Sequence, residues 1–144
     1  SLGLRCGDLR ELTWEDLEGD KIKLIEGKTR KFRVLTVHPE LKAISDRNRE
    51  GRTGPIFVGQ KKNILTIQRI NSILHRIATE YGISGSFTSH SLRKTMGRRI
   101  WERDNQSERS LIYLSKLFNH SSTEITRIYL GITSDEIADL YMSL

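Results

Sequence analysis

Two guanidinium groups, an ammonium group, two imidazoles and a phenol occur at positions that together describe one kind of chemistry. They are Arg5 in Gly-Leu-Arg, Lys28 in Gly-Lys-Thr-Arg-Lys, His90 and Arg93 in His-Ser-Leu-Arg, and His120, followed nine residues later by Tyr129. This set is what phosphoryl transfer without a metal needs. Arginine forks match phosphate oxygens two at a time and can hold the negative charge of a pentacoordinate transition state. A phenol attacks phosphorus poorly unless a base accepts its proton, and the departing oxygen needs a proton donor; histidine and lysine can serve both needs. His90 and Arg93 lie three apart on an expected helix, so they project from neighbouring positions and can converge on one ligand. No Cys/His cluster or acidic metal-binding spacing accompanies them, so a zinc or two-magnesium mechanism finds no ligands in the sequence and no cofactor is expected.

Taken singly, each group has a plainer reading. An arginine at a helix start is ordinarily a surface charge, a hairpin lysine ordinarily serves solubility, and a capped histidine is ordinarily a satisfied structural group. Tyr129 follows Ile125 by four residues on the same helical face, which favours burial of its ring, although the hydroxyl can still emerge into a cleft. Tyr81 continues an apolar stripe and Tyr141 stands with Ile137 and Leu140, so both read as structural. Tyr113 stays open between the two readings.

The elements that must position these groups are legible from periodicity. A helical pattern follows Arg5, with Leu9, Leu12 and Leu17 as its apolar positions. Lys21–Ile25 alternates polar and apolar, residues 27–30 have turn character and residues 32–37 are rich in β-formers, which predicts a hairpin with Lys28 at or beside its tip. Pro39 opens a short helix that is expected to fade into a polar loop over residues 46–54, whose arginines read as solvated. From Thr66, the residues Ile67, Ile70, Leu74, Ile77 and Tyr81 fall on one helical face, with Gly82 as the stop. Thr88 or Ser89 can cap the next helix, in which Leu92, Met96 and Ile100 form the expected buried stripe and Arg93 lies one position round from it. Leu111, Leu114 and Phe118 mark a helix from Ser107. Ser121 with Glu124 predicts a capping box before a short helix through Leu130, and Thr133 with Glu136 predicts another before a last helix.

Composition bounds the partners. The chain of 144 residues has the length of one domain; 36% hydrophobic and 29% charged residues describe a globular protein. No apolar run approaches the ~20 residues that a membrane helix requires, so no membrane association is expected. The 24 Lys and Arg against 18 Asp and Glu give a net charge of +6, which suits a polyanionic partner because neutralising phosphates releases condensed counterions. A single Cys6 and the absence of a signal-peptide pattern fit a reducing cytoplasm.

The order Gly-Leu-Arg, hairpin Lys, His-x-Leu-Arg, Asn-His-Ser-Ser and Thr-x-x-Tyr resembles the tyrosine recombinase (phage integrase) family, and residues 9–16 read like the helix and turn that follow its first arginine. The resemblance implies an α+β, mainly α-helical catalytic domain with a small antiparallel hairpin or sheet on one side. It implies Tyr129 as the nucleophile that forms a 3′-phosphotyrosine, Arg5 and Arg93 as clamps on the scissile phosphate, and Lys28 as proton donor to the leaving 5′ oxygen. His90 would assist proton transfer and His120 would hydrogen-bond the phosphate. Arg30, Lys31 and Lys94 are further expected DNA contacts. The resemblance also implies double-stranded DNA as partner, a tetramer on DNA for the full protein, a monomer for the isolated domain, and the cytoplasm of a bacterial or phage-infected cell. Residues 1–144 would be the C-terminal catalytic domain, with an N-terminal DNA-gripping domain and the first part of the catalytic domain preceding it. Two departures stand out: Asp8 occupies a position where the family commonly has Glu, and Phe118-Asn119 replaces the usual Leu-Gly before the second histidine. The rival readings are a type IB topoisomerase, a non-catalytic DNA-binding regulator of the same fold, and an RNA-binding helical module.

Overall fold

The computed structural model describes residues 2–132 and 141–142. It is mainly α-helical with one small antiparallel sheet, and its residues divide into two compact units, Ser1–His90 and Ser91–Leu144.

The first unit is built on a hairpin. Strand β1 (Lys21–Ile25) pairs antiparallel with β2 (Phe32–Thr36), with Ile22 opposite Leu35 and Ile25 opposite Phe32. Alternation turns Ile22 and Leu35 inward, where they join Leu4, Leu12, Leu17 and Val37 in one apolar cluster. The helical run expected around Leu9, Leu12 and Leu17 is broken in two. Helix α1 covers only Cys6–Leu9, and a 3-10 turn covers Glu15–Leu17. Thr13 causes the break: its backbone N–H and hydroxyl donate to Asp16 Oδ2 at 2.8 and 3.0 Å, and its backbone pairs with Pro55. The leucines still reach the core, but from a turn.

Helix α2 (Pro39–Arg49) starts at His38, whose Nδ1 accepts from the Glu40 N–H at 3.2 Å, with Pro39 in the first turn where its missing donor costs nothing. It runs further than expected, through Asp46 to Arg49, and stops where Glu50 and Gly51 both take positive φ. The arginines there are not simply solvated. Arg49 pairs with Glu18 at 2.6 Å, and the Arg52 guanidinium lies 5.6 Å from the Trp14 ring. Glu15 accepts the Gly54 N–H on both oxygens, and backbone amides, its own first and then that of Gly54, hold its carboxyl below the usual carboxylate range.

Helix α3 (Ile67–Glu80) is capped by Thr66, whose hydroxyl accepts from the Arg69 N–H. Gly82, at φ +66°, ends it, with Gly82 N–H returning to Thr79 O and Ile83 N–H to Ala78 O. The expected apolar stripe is only partly covered: Ile67, Ile77 and Tyr81 are exposed, and Ala78 is the buried residue of this helix.

Among its described residues the second unit packs α4 (Ser89–Arg103), α5 (Glu108–Phe118) and α6 (Thr123–Leu130) together. Trp101, Leu111, Leu114, Phe118 and Leu130 form its core. The buried residues of α4 are not the expected Leu92, Met96 and Ile100 but Arg93, Gly97 and Trp101, one position round; of the expected three, Met96 is half-buried and packs against this core. Leu92 and Ile100 are exposed. The reason is steric. A Cβ on Gly97 would stand 2.7 Å from Leu130 Cδ2 and 2.8 Å from Phe118 Cε2, so the bulk of α5 and α6 fits only where α4 has no side chain.

Helix α5 begins as expected, with Ser107 accepting from the Ser110 N–H. Helix α6 is capped by Ser122, which accepts from the Ile125 N–H; the expected cap at Ser121 is off by one, so Glu124 does not complete a capping box. Gly131, at φ +72°, ends α6. The expected cap at Thr133 with Glu136, and the apolar partners Ile137 and Leu140 of Tyr141, lie outside the described residues. Tyr141 and Tyr113 are exposed.

Candidate active site

In the first unit the site is organised by a residue that the sequence reading did not single out. β1 turns Ile22, Leu24 and then Glu26 to one face, so the strand's alternation carries a carboxylate inward, where it is buried. Isolated burial of a carboxylate is costly, and here Arg5, Thr29 and Arg33 donate to it. Arg5 Nη1 donates to Oε2 at 2.9 Å, the Thr29 hydroxyl donates to the same oxygen at 2.7 Å, and Arg33 Nη1 donates to Oε1 at 2.6 Å. Arg5 itself stands in extended conformation just before α1, its carbonyl accepting from the Asp8 and Leu9 N–H groups. Asp8 then reaches across to the hairpin, where Oδ1 accepts from the Gly27 N–H at 2.8 Å. The shorter Asp thus has a defined task at the position where a Glu was expected.

Lys28 lies in the turn over residues 27–30, exposed as expected of a hairpin tip. The turn is closed by Glu26 N–H to Lys31 O at 3.0 Å and Arg30 N–H to Glu26 O at 2.8 Å, with Arg30 at φ 56°. Arg30 and Lys31 are exposed beside it. His90 is exposed on the first turn of α4, three residues before Arg93.

In the second unit Arg93, His120 and Tyr129 gather around Phe118. Arg93 is 6% exposed. Its Nη2 donates to the Phe118 carbonyl at 2.8 Å, and its guanidinium carbon stands 4.4 Å from the Phe118 ring centroid and 5.6 Å from that of Tyr129. The Tyr129 ring is half-buried, 5.5 Å from Phe118 and 5.2 Å from His120 in edge-to-face contacts. Thr126 is fully buried, and its hydroxyl donates to Ser122 O at 3.2 Å and lies 3.0 Å from His120 Nδ1. Nδ1 of His120 is thereby engaged by Thr126, and which ring nitrogen donates follows from the tautomer.

The second departure from the expected motif, Phe118-Asn119, finds its reason here. Asn119 ends α5 at φ 52° and ψ 49°, the left-handed conformation that glycine or asparagine tolerates, and this lets the His120 N–H return to Ser115 O at 2.9 Å. Phe118 in place of leucine puts a ring face under a buried guanidinium. Lys94 is exposed on α4, and a Cβ on Gly131 would meet its Nζ at 2.8 Å.

The structure therefore brings Arg93, His120 and Tyr129 together in the second unit, and Arg5 and the turn of Lys28 together, through Glu26, in the first. Glu26, Thr126 and the ring of Phe118 were missed as site residues. A charged residue on the inward side of an alternating strand was the available signal for Glu26. Thr126 had none. Among the described residues no group of three His, Cys, Asp or Glu side chains stands close enough to hold a metal ion, and no helix is long and apolar enough to cross a membrane.

A mainly helical chain with a basic hairpin and an arginine, histidine and tyrosine cluster defines a class that the comparisons also find. The phage integrase family pattern matches residues 1–136, and the chain belongs to that family, the tyrosine recombinases. It is 32% identical over 90 residues to tyrosine recombinase XerC of Bradyrhizobium diazoefficiens, covering 62% of this chain and 27% of that protein. It is 28% identical over 142 residues to the probable integrase/recombinase YoeC of Bacillus subtilis, covering 96% of this chain and 76% of that one. The crystal structure of XerA recombinase superposes with a TM-score of 0.70 at 21% identity, over 99% of this chain and 52% of that chain. The fold is thus that of tyrosine recombinase catalytic domains, and the chain spans only about a quarter of the XerC protein it matches.

Proposed function

We propose that this chain is the catalytic part of a site-specific DNA recombinase that cuts and rejoins strands through a 3′-phosphotyrosine on Tyr129. In the cleavage step the Tyr129 oxygen forms a bond to phosphorus while the bond from phosphorus to the 5′ oxygen breaks. The phenolic proton leaves through a base, and the 5′ oxygen gains a proton from Lys28. Arg5 and Arg93 hold the charge that builds on the non-bridging oxygens, His120 hydrogen-bonds the phosphate and His90 assists proton transfer. Because the phosphotyrosine retains the energy of the broken bond, a 5′ hydroxyl of a partner strand can reseal the DNA without ATP, and with side chains supplying the charge stabilisation no metal is assigned a step.

The observation that carries this reading is the cluster in which the Tyr129 ring lies against both the Arg93 guanidinium and the His120 ring. A phenol in reach of a cation that binds phosphate and of an imidazole has the neighbours that a nucleophile requires. The partner is double-stranded DNA, gripped through phosphates by the basic surface that includes Arg30, Lys31 and Lys94; recombination assembles four subunits on it, in the cytoplasm of a bacterial or phage-infected cell.

A nicked suicide duplex tests the reading. The wild-type chain is expected to form a covalent adduct that mass spectrometry maps to Tyr129, and Tyr129→Phe is expected to form none. An adduct on Tyr113 or Tyr141 would move the nucleophile; DNA binding without any adduct would leave a binding protein.

A further inference from the structure

We propose that Glu26 is a positioning residue whose single buried carboxylate sets the Arg5 guanidinium and the Lys28 turn in one fixed relation. The inference rests on the catalytic reading of Arg5 and Lys28 given above. Those two residues stand on different elements, one ahead of α1 and one between β1 and β2. Glu26 Oε2 ties them together. It takes a hydrogen bond from Arg5 Nη1 at 2.9 Å and another from the hydroxyl of Thr29, the residue after Lys28, at 2.7 Å. The backbone of Glu26 closes the same turn on both sides, through Lys31 O and the Arg30 N–H. Asp8 Oδ1, held on the first turn after Arg5, receives the Gly27 N–H as a second tie.

Arg33 completes the arrangement. Its Nη1 donates to Oε1 at 2.6 Å, so the carboxylate is fixed at both oxygens and cannot swing toward Arg5 or Thr29 alone. Two guanidiniums against one carboxylate also leave this trio with a net positive charge, so tethering Arg5 does not turn the site against a phosphate. A carboxylate held this way is pre-organised: the geometry of the clamp and of the proton donor is set before DNA arrives.

The test separates the leaving-group step from the rest. Cleavage is measured in single turnover on a nicked duplex and on the same duplex with sulfur in place of the bridging 5′ oxygen at the scissile phosphate. A thiolate departs without a proton, so the contribution of Lys28 drops out of the second rate. Lys28→Ala serves as the reference, slow on oxygen and recovered on sulfur. Glu26→Gln keeps the shape and one acceptor oxygen, and it is expected to slow the oxygen substrate about a hundredfold and the sulfur substrate about tenfold, at unchanged DNA affinity. Thr29→Val, which cuts only the tie to the turn and keeps both ion pairs, is expected to slow the oxygen substrate and to react as wild type on sulfur. Wild-type rates for Glu26→Gln on oxygen, or equal slowing of both substrates by both variants, would overturn the proposal. Failure of the catalytic reading is seen separately: the wild type then forms no adduct, or Lys28→Ala cleaves oxygen normally, and the proposal falls with it.

Discussion

Arg5 and Arg93 are held by opposite chemistry. In the first unit the guanidinium meets a buried carboxylate that it shares with Arg33 and Thr29. In the second it lies between ring faces and donates to a main-chain carbonyl. A carboxylate fixes a cation but also cancels much of its charge, whereas a carbonyl dipole and ring quadrupoles orient a cation and leave its charge in place. The first unit is therefore arranged by ionic contacts around a turn, and the second by shape, since Gly97, Phe118 and Leu130 must interlock before Arg93 and Tyr129 are where they are. Precise placement can come from either source, but the two should fail differently.

The largest difference should appear in catalysis. Arg93→Lys loses the planar fork that stacks on Phe118 and is expected to slow adduct formation by about a thousandfold, whereas Arg5→Lys keeps an ammonium opposite Glu26 and is expected to lose about tenfold. Equal losses in single-turnover cleavage would erase the contrast. Next comes stability in the first unit. Glu26→Ala leaves two cations facing each other and is expected to cost about 2–3 kcal/mol in urea unfolding, below the full value for a buried pair because the Arg5 and Arg33 side chains keep 19% and 12% exposure. Hydrogen exchange should then quicken at the hairpin amides and not in α5.

Gly97→Ala should do the reverse. It forces Leu130 and Phe118 apart, with an expected loss of about 1–3 kcal/mol and faster exchange in α5 and α6 while the hairpin stays protected. If either substitution loosened both regions equally, the two would be one cooperative body and not two separately arranged ones. The smallest effect concerns the start of α6. Ser122→Ala is expected to lower stability by about 1 kcal/mol and Ser121→Ala to leave it within about 0.5 kcal/mol, as melting temperatures of the pair would show.

Local signals carried far in this chain. The hairpin register follows from alternation, Thr66 and Ser107 act as the caps their side chains suggest, and Gly82 stops α3 with positive φ. Where the structure departs from these signals, a specific side-chain contact decided the outcome. Thr13 and Asp16 bond to each other and break the expected helix; Ser122 takes the cap that Ser121 seemed to offer; α2 runs to Arg49 with its last arginine tied to Glu18. The phase of α4 is the clearest case, because hydrophobicity favoured Leu92, Met96 and Ile100 while the packed face carries an arginine and a glycine.

The candidate set, Arg5, Lys28, His90, Arg93, His120 and Tyr129, could be named from the sequence because residue type and order are local properties and phosphoryl transfer restricts which types serve. That Glu26, just past β1, would reach Arg5 and that Phe118 would lie beneath Arg93 could not be named in this way. Those contacts join residues brought close only by the packing of separate elements, and side-chain types alone carry no record of which neighbour the fold will supply.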